Sequence, residues 1–70
     1  MSFGNAYDRL SMKQRILAIN MIGEIKESRK TDPEKTMFEK PADASKAALK
    51  YIEKELHEEH GFKIIWKEKM

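Results

Sequence analysis

The chain has 70 residues and contains no cysteine, so neither a disulfide nor a thiolate metal site can supplement a small hydrophobic core. Its formal net charge is only +2, and the charge alternates along the chain: residues 1–31 and 62–70 are basic, whereas residues 32–61 are acidic. This alternation favours internal charge complementarity over one uniform field for nucleic acid. We predict a single domain over residues 1–70 that gains stability by oligomerisation.

The start of the chain and its hydropathy are the features from which we predict where the protein is located in the cell. Residues 1–7 lack the basic and apolar pattern of a signal peptide, and they are expected to be a flexible N-terminus. No stretch is apolar enough to cross a membrane. We therefore expect a cytoplasmic protein with no membrane partner.

The first predicted helix, residues 11–29, carries apolar residues on two faces. Ser11 and Gln14 have the spacing of a capping box, in which the Gln side chain reaches back to the cap. Met12, Ile16 and Ile19 lie beside Gly23, opposite a broader apolar stripe. That stripe consists of Leu10, Leu17, Ala18, Met21, Ile22 and Ile25. Two apolar faces predict a partner for the second face, and a homodimer is the simplest choice.

The middle of the chain contains Asp32, Pro33 and Glu34, a sequence typical of a helix start, with Asp as the cap and Pro in the first turn. It predicts a short connecting helix over residues 33–39 that ends before Pro41. The alternative is a short strand at residues 36–39.

The last predicted helix begins at Asp43 or Ser45 and ends at His60, followed by Gly61 as a left-handed cap. Its single apolar seam consists of Ser45, Ala48, Leu49, Ile52 and Leu56. Residues 62–70 alternate as a strand, with Phe62, Ile64 and Trp66 on one face. This strand must pair with residues 36–39, with its own copy, or with the sheet edge of a partner.

These elements predict a mainly α fold. It consists of two long antiparallel helices, a short connecting helix and one C-terminal β-strand, and a small α+β fold is the alternative.

Several lysines are candidate contacts for nucleic acid. Lys46, Lys50 and Lys54 line one flank of the last helix, and Lys63 and Lys67 alternate with Trp66 in the strand. Residues 10–17 (LSMKQRIL) also resemble the first helix of winged-helix domains, a resemblance that implies DNA binding. The competing interpretation is a solvated flank, since Glu53 and Glu58 lie close enough to neutralise these lysines.

Catalytic motifs are not evident in the sequence. It has no glycine-rich phosphate loop and no nucleophile placed beside a base, and His57 and His60 are expected to be surface residues near a helix end. We expect no enzymatic activity, no cofactor and no bound metal.

The functional prediction therefore rests on the second apolar face of the first predicted helix. We expect a small protein–protein interaction module, an adaptor, regulator or inhibitor that acts by occupying a surface and that forms a homodimer or binds a protein partner. The predicted contact residues are Met12, Ile16, Ile19, Ile64 and Trp66. The alternative is a nucleic-acid-binding regulator of helix-turn-helix or winged-helix type.

Overall fold

The computed structural model describes residues 7–67, and two helices and two short strands lie entirely within this range. In chain order these are α1 (Met12–Thr31), β1 (Met37–Glu39), α2 (Lys46–His60) and β2 (Ile65–Lys67). The prediction of a mainly α fold with a small β component is confirmed. Neither helix of the described residues is long and apolar enough to cross a membrane.

The start of α1 is capped as predicted, but only in part. The Ser11 hydroxyl accepts a hydrogen bond from the backbone N–H of Gln14 at 3.3 Å. The Gln14 side chain does not reach back to the cap. Its amide instead donates to the carbonyl of Asp43 at 2.9 Å and accepts from the N–H of Ser45 at 3.0 Å. Gln14 thus joins the start of α1 to the start of α2.

The prediction of a connecting helix over residues 33–39 is wrong. Asp32 closes α1, because its N–H donates to the carbonyl of Ser28, and its own carbonyl accepts from Lys35 at 3.0 Å. Asp followed by Pro is typical of the first two positions of a β-turn as well as of a helix start. The chain makes the turn and continues into β1, so the alternative of a strand at residues 36–39 is confirmed.

The boundaries of α2 agree with the prediction. Ser45 is the N-cap and accepts from the N–H of Ala48 at 3.1 Å. At the other end Gly61 has φ 74°, the left-handed conformation that glycine adopts without steric cost. The N–H of Phe62 then donates to the carbonyl of Leu56 at 3.4 Å, which turns the chain back toward β2.

The two strands form a parallel sheet, in which Met37 is opposite Ile65 and Phe38 is opposite Trp66. Of the three pairings considered for the C-terminal strand, the one with residues 36–39 is the one observed. The alternation predicted there is confirmed as far as Lys67, since Ile64 is buried and Trp66 half-buried while Ile65 is exposed. The prediction that the strand begins at residue 62 is wrong: β2 begins at Ile65, because the preceding residues turn the chain away from the end of α2. The predicted continuation to residue 70 lies outside the described residues.

The two helices run in the same direction, and the predicted antiparallel arrangement is wrong. Gln14 and Ser45 bring the two helix starts together. At the opposite end the guanidinium of Arg29 lies 3.9 Å from the centroid of the Phe62 ring, just beyond α2. The reason is the strand: β1 carries the chain back along α1 before α2 begins.

The core lies between the helices and the inner face of the sheet. Tyr7 closes one end, with its ring 5.6 Å from that of Tyr51. Tyr7 is the only described residue of the predicted flexible N-terminus, and the rest of that segment lies outside the described residues. The buried apolar residues are Leu10, Ala18, Ile25, Phe38, Ala48, Leu49, Ile52, Leu56 and Ile64.

Candidate interaction surfaces

The first candidate surface, the α1 outer face, consists of Met12, Ile16, Ile19 and Gly23. The three apolar side chains are 66%, 54% and 51% exposed, although Ala18 of the same helix is fully buried. Three of the five predicted contact residues therefore lie together on one accessible surface. A Cβ built at Gly23 would meet no atom of residues 7–67 within 4 Å beyond the backbone of its own helix, so this stripe ends in open space among the described residues.

Gly23 has no evident role inside the described fold. Its φ is not positive, and no described neighbour approaches closely enough to require the missing side chain. A glycine inside a helix nonetheless costs about 1 kcal/mol relative to alanine. Its position on the exposed stripe is therefore unexplained by packing within one chain.

Ile64 and Trp66, the other two predicted contact residues, differ in accessibility. Ile64 is only 7% exposed and belongs to the core, so a partner cannot contact its side chain without opening the fold. That prediction is corrected. Trp66 is half-buried, and its indole Nε1 donates to Glu53 Oε2 at 2.6 Å.

The outer face of the sheet exposes apolar residues that the sequence analysis did not single out. Met37 and Ile65 face each other in the strand register, and each is more than half exposed. Glu39 and Lys67 form the next exposed pair along the strands. The alternation of side chains along a strand could have indicated this exposure, because Ile65 must lie on the face of the sheet opposite to Ile64 and Trp66.

The lysines predicted to contact nucleic acid separate into two sets. Lys50, Lys54 and Lys63 line an open groove of about 570 Å³, which we call the basic groove. Its other lining residues are Glu53, His57 and Ile64. Lys46 and Lys67 are exposed but do not line it, and Lys67 instead lies opposite Glu39 in the sheet.

A second groove, of about 630 Å³, lies between α1 and β1. Leu17, Met21, Ile25 and Phe38 contribute apolar surface to it. Its polar lining residues carry both signs of charge, and they are Asn20, Glu24, Ser28, Lys35, Glu39 and Lys40. Because the two signs balance, this groove has no charge preference for a ligand.

Two arginines that could have served as cationic contacts instead stabilise the chain itself. Arg15 donates through Nε to the carbonyls of Tyr7 and Leu10, both at 3.1 Å. Arg29 donates to the carbonyl of Lys35 and covers the Phe62 ring. Both guanidinium groups therefore hold the ends of α1 to neighbouring segments.

The environment of Tyr51 changes the pKa of its hydroxyl. Burial raises the pKa of its hydroxyl above the ordinary value of 10.0, and nearby Glu55 and Tyr7 raise this pKa further. The hydroxyl therefore stays protonated at neutral pH. Within residues 7–67 no group of three or more His, Asp or Glu side chains is placed to hold a metal ion.

Comparison with known proteins adds no functional assignment to these surfaces. No family model, curated protein or solved structure matches this chain.

Proposed function

We propose that this protein is a protein–protein interaction module, an adaptor, regulator or inhibitor that acts by occupying a surface, and that it functions as a homodimer built on the α1 outer face. The observation that carries the proposal is the exposure of Met12, Ile16 and Ile19 on a helix that already buries Ala18 and Ile25 in its own core. Exposed apolar residues scattered singly are ordinary, but a contiguous stripe is typical of an interface.

The stripe is suited to pairing with a second copy of itself. Met12, Ile16, Ile19 and Gly23 follow one another at intervals of four, three and four residues, which is the spacing of a coiled-coil seam. In an antiparallel pair related by a two-fold axis, Ile16 packs beside Ile19 of the second copy. Met12 then packs beside Gly23 of the second copy, where the missing side chain leaves space. This pairing gives Gly23 the role that the single chain lacks.

Charge favours the antiparallel orientation. Lys26 and Lys30 continue the same stripe toward the end of α1, and both are exposed. A parallel pair would bring these lysines against their own copies, which is unfavourable for like charges. An antiparallel pair places the two sets of lysines at opposite ends of the interface.

The size of the stripe predicts a weak dimer. Complete burial of an Ile or Met side chain contributes about 1.5–3 kcal/mol, so covering the exposed half of each contributes about 1 kcal/mol. Six such side chains, three from each copy, give about 6 kcal/mol, which without further losses corresponds to a dissociation constant of about 40 μM. The entropy of association lowers this affinity, so we expect a dissociation constant of about 1 mM.

Sedimentation equilibrium tests this proposal. As concentration rises from about 10 μM to about 1 mM, we expect the mass of the wild-type chain to rise from 8.2 kDa toward twice that value. Ile16→Glu and Ile19→Glu should stay monomeric throughout and keep their helical circular dichroism, because both side chains lie outside the core.

Met37→Glu is the matched control. Met37 is 51% exposed, as is Ile19, but it lies on the sheet rather than on α1, so this variant should associate like the wild type. A wild-type chain that remains monomeric at about 1 mM would refute the proposal. So would association that Met37→Glu abolishes and Ile16→Glu leaves intact.

A further inference from the structure

The second strand has one edge that no strand of residues 7–67 pairs with, and Ile64, the residue before this strand, lines the basic groove. The N–H of Ile65 donates to the carbonyl of Thr36 at 2.8 Å, so Ile65 faces β1. The C=O of Ile64 points away from β1, because it lies opposite the Ile65 N–H across a trans peptide bond. Since backbone groups alternate along a strand, the N–H and C=O groups of Trp66 also face the other edge. Within residues 7–67 the sheet has only two strands, and none pairs with this edge.

Basic side chains line most of the groove beside Ile64. Lys50, Lys54 and His57 come from one flank of α2, and Lys63 comes from the segment that leads into β2. The single carboxylate among the lining residues is Glu53, which is held by the indole N–H of Trp66. Amino groups therefore outnumber carboxylates among the lining residues.

We propose that the basic groove binds an extended acidic segment of a partner protein. The segment adds as a strand to the free edge of β2, and its carboxylates lie beside Lys50 and Lys63. Strand addition at a sheet edge is an established way for a domain to bind a peptide, with backbone hydrogen bonds giving affinity and neighbouring side chains giving specificity. This binding site shares no residue with the α1 outer face and does not depend on dimerisation.

The surroundings of the groove favour an acidic peptide over nucleic acid. The lysine flank of α2 is short, because Glu58 and Glu59 follow His57 directly. Over its whole length α2 carries three lysines and four glutamates. A long polyanion that followed the helix would reach the acidic end, whereas a peptide strand stays within the groove. Nucleic acid also has no backbone amide that could pair with the free edge of β2.

Trp66 provides a direct readout, since it is the only tryptophan in the chain and lies on the strand that would be extended. The probe is a capped peptide in which glutamate and valine alternate, titrated while Trp66 fluorescence and backbone amide chemical shifts are recorded. We expect saturable binding, with amide shifts concentrated at Ile64 and Trp66. The double variant Lys50→Glu/Lys63→Glu should weaken binding by about tenfold or more, whereas the matched variant Lys26→Glu/Lys30→Glu should not.

Two further probes separate strand addition from simple attraction of charge. An acidic peptide with proline at alternate positions keeps its carboxylates but loses backbone donors, and it should bind at least about tenfold more weakly. Equal binding of the proline peptide, or tighter binding of a single-stranded oligonucleotide that Lys50→Glu/Lys63→Glu abolishes, would overturn the proposal. Absence of binding at millimolar peptide would do so as well.

The same titration on the Ile16→Glu chain keeps this inference separate from the proposed dimer. Ile16 lies on α1 and does not line the basic groove. Peptide binding should therefore be unchanged in this variant, whatever its oligomeric state.

Discussion

Gly23→Ala and Gly61→Ala make the same chemical change in surroundings that are equally open, and they should have opposite effects on stability. A Cβ at either position would meet no atom of the described residues within 4 Å beyond the adjacent backbone, so neither substitution creates a clash there. Gly23 is inside α1, where alanine is favoured over glycine by about 1 kcal/mol. Gly61 has φ 74°, where a Cβ costs about 1–2 kcal/mol. The two variants should therefore differ by about 2–3 kcal/mol in the free energy of unfolding.

Thermal unfolding followed by circular dichroism measures this difference. For a domain of this size 1 kcal/mol corresponds to about 4–8 °C in Tm, so Gly23→Ala should melt several degrees above the wild type and Gly61→Ala several degrees below it. The protein should be kept near 10 μM, so that association contributes little to the Tm. A Gly23→Ala variant that melts below the wild type would show that the site is not open, and a neutral Gly61→Ala would refute the backbone argument.

Two other predictions concern contacts inside the chain. Gln14→Ala removes both hydrogen bonds that join the helix starts, so the free energy of unfolding measured in urea should fall by about 1–2 kcal/mol. The control is Lys13→Ala at the neighbouring exposed position, which should change this free energy by less than about 0.5 kcal/mol. If both variants had similarly small effects, the two Gln14 hydrogen bonds would contribute nothing to stability. Because burial raises the pKa of Tyr51, the folded chain holds this proton more tightly than the unfolded chain does, and stability should decline as pH rises above 10.0. Tyr51→Phe should show a shallower decline in denaturation measured across that range, and an identical slope would contradict the assignment.

The helix boundaries were predictable because their signals are local. Ser11, Ser45 and Gly61 each act within five residues of the position they occupy, through a side-chain cap or a left-handed backbone. The exposure of Met12 and Ile16 also followed from sequence, since one helix cannot bury two opposite faces against a single small core.

The path between the helices was not predictable in the same way. Asp32 and Pro33 satisfy the requirements of a helix start and of a β-turn equally well, and β1 is only three residues long. What decides between them is the parallel pairing of β1 with β2, a contact between segments almost 30 residues apart in the sequence. The direction of α2 depends on that choice, so one local ambiguity produced two errors in the predicted fold.

The basic groove shows the same limit for a functional site. Spacing along one helix placed Lys50 and Lys54 together, but Lys63 joins them only because β2 folds against α2. Periodicity correctly put Ile64 and Trp66 on one face. It could not show that this face is the inner one, which the packing of Ile64 into the core decides.

The two proposed surfaces have a joint consequence, because they lie on different elements and share no residue. The α1 outer face is formed by one helix, whereas the basic groove is formed by α2 and the segment leading into β2. A dimer through α1 would therefore carry two copies of the groove. A partner with two acidic segments on a linker long enough to span both grooves would gain affinity from the second contact, because that contact is then intramolecular. Weak self-association and weak peptide binding would thus combine into a tighter complex, which neither surface provides alone.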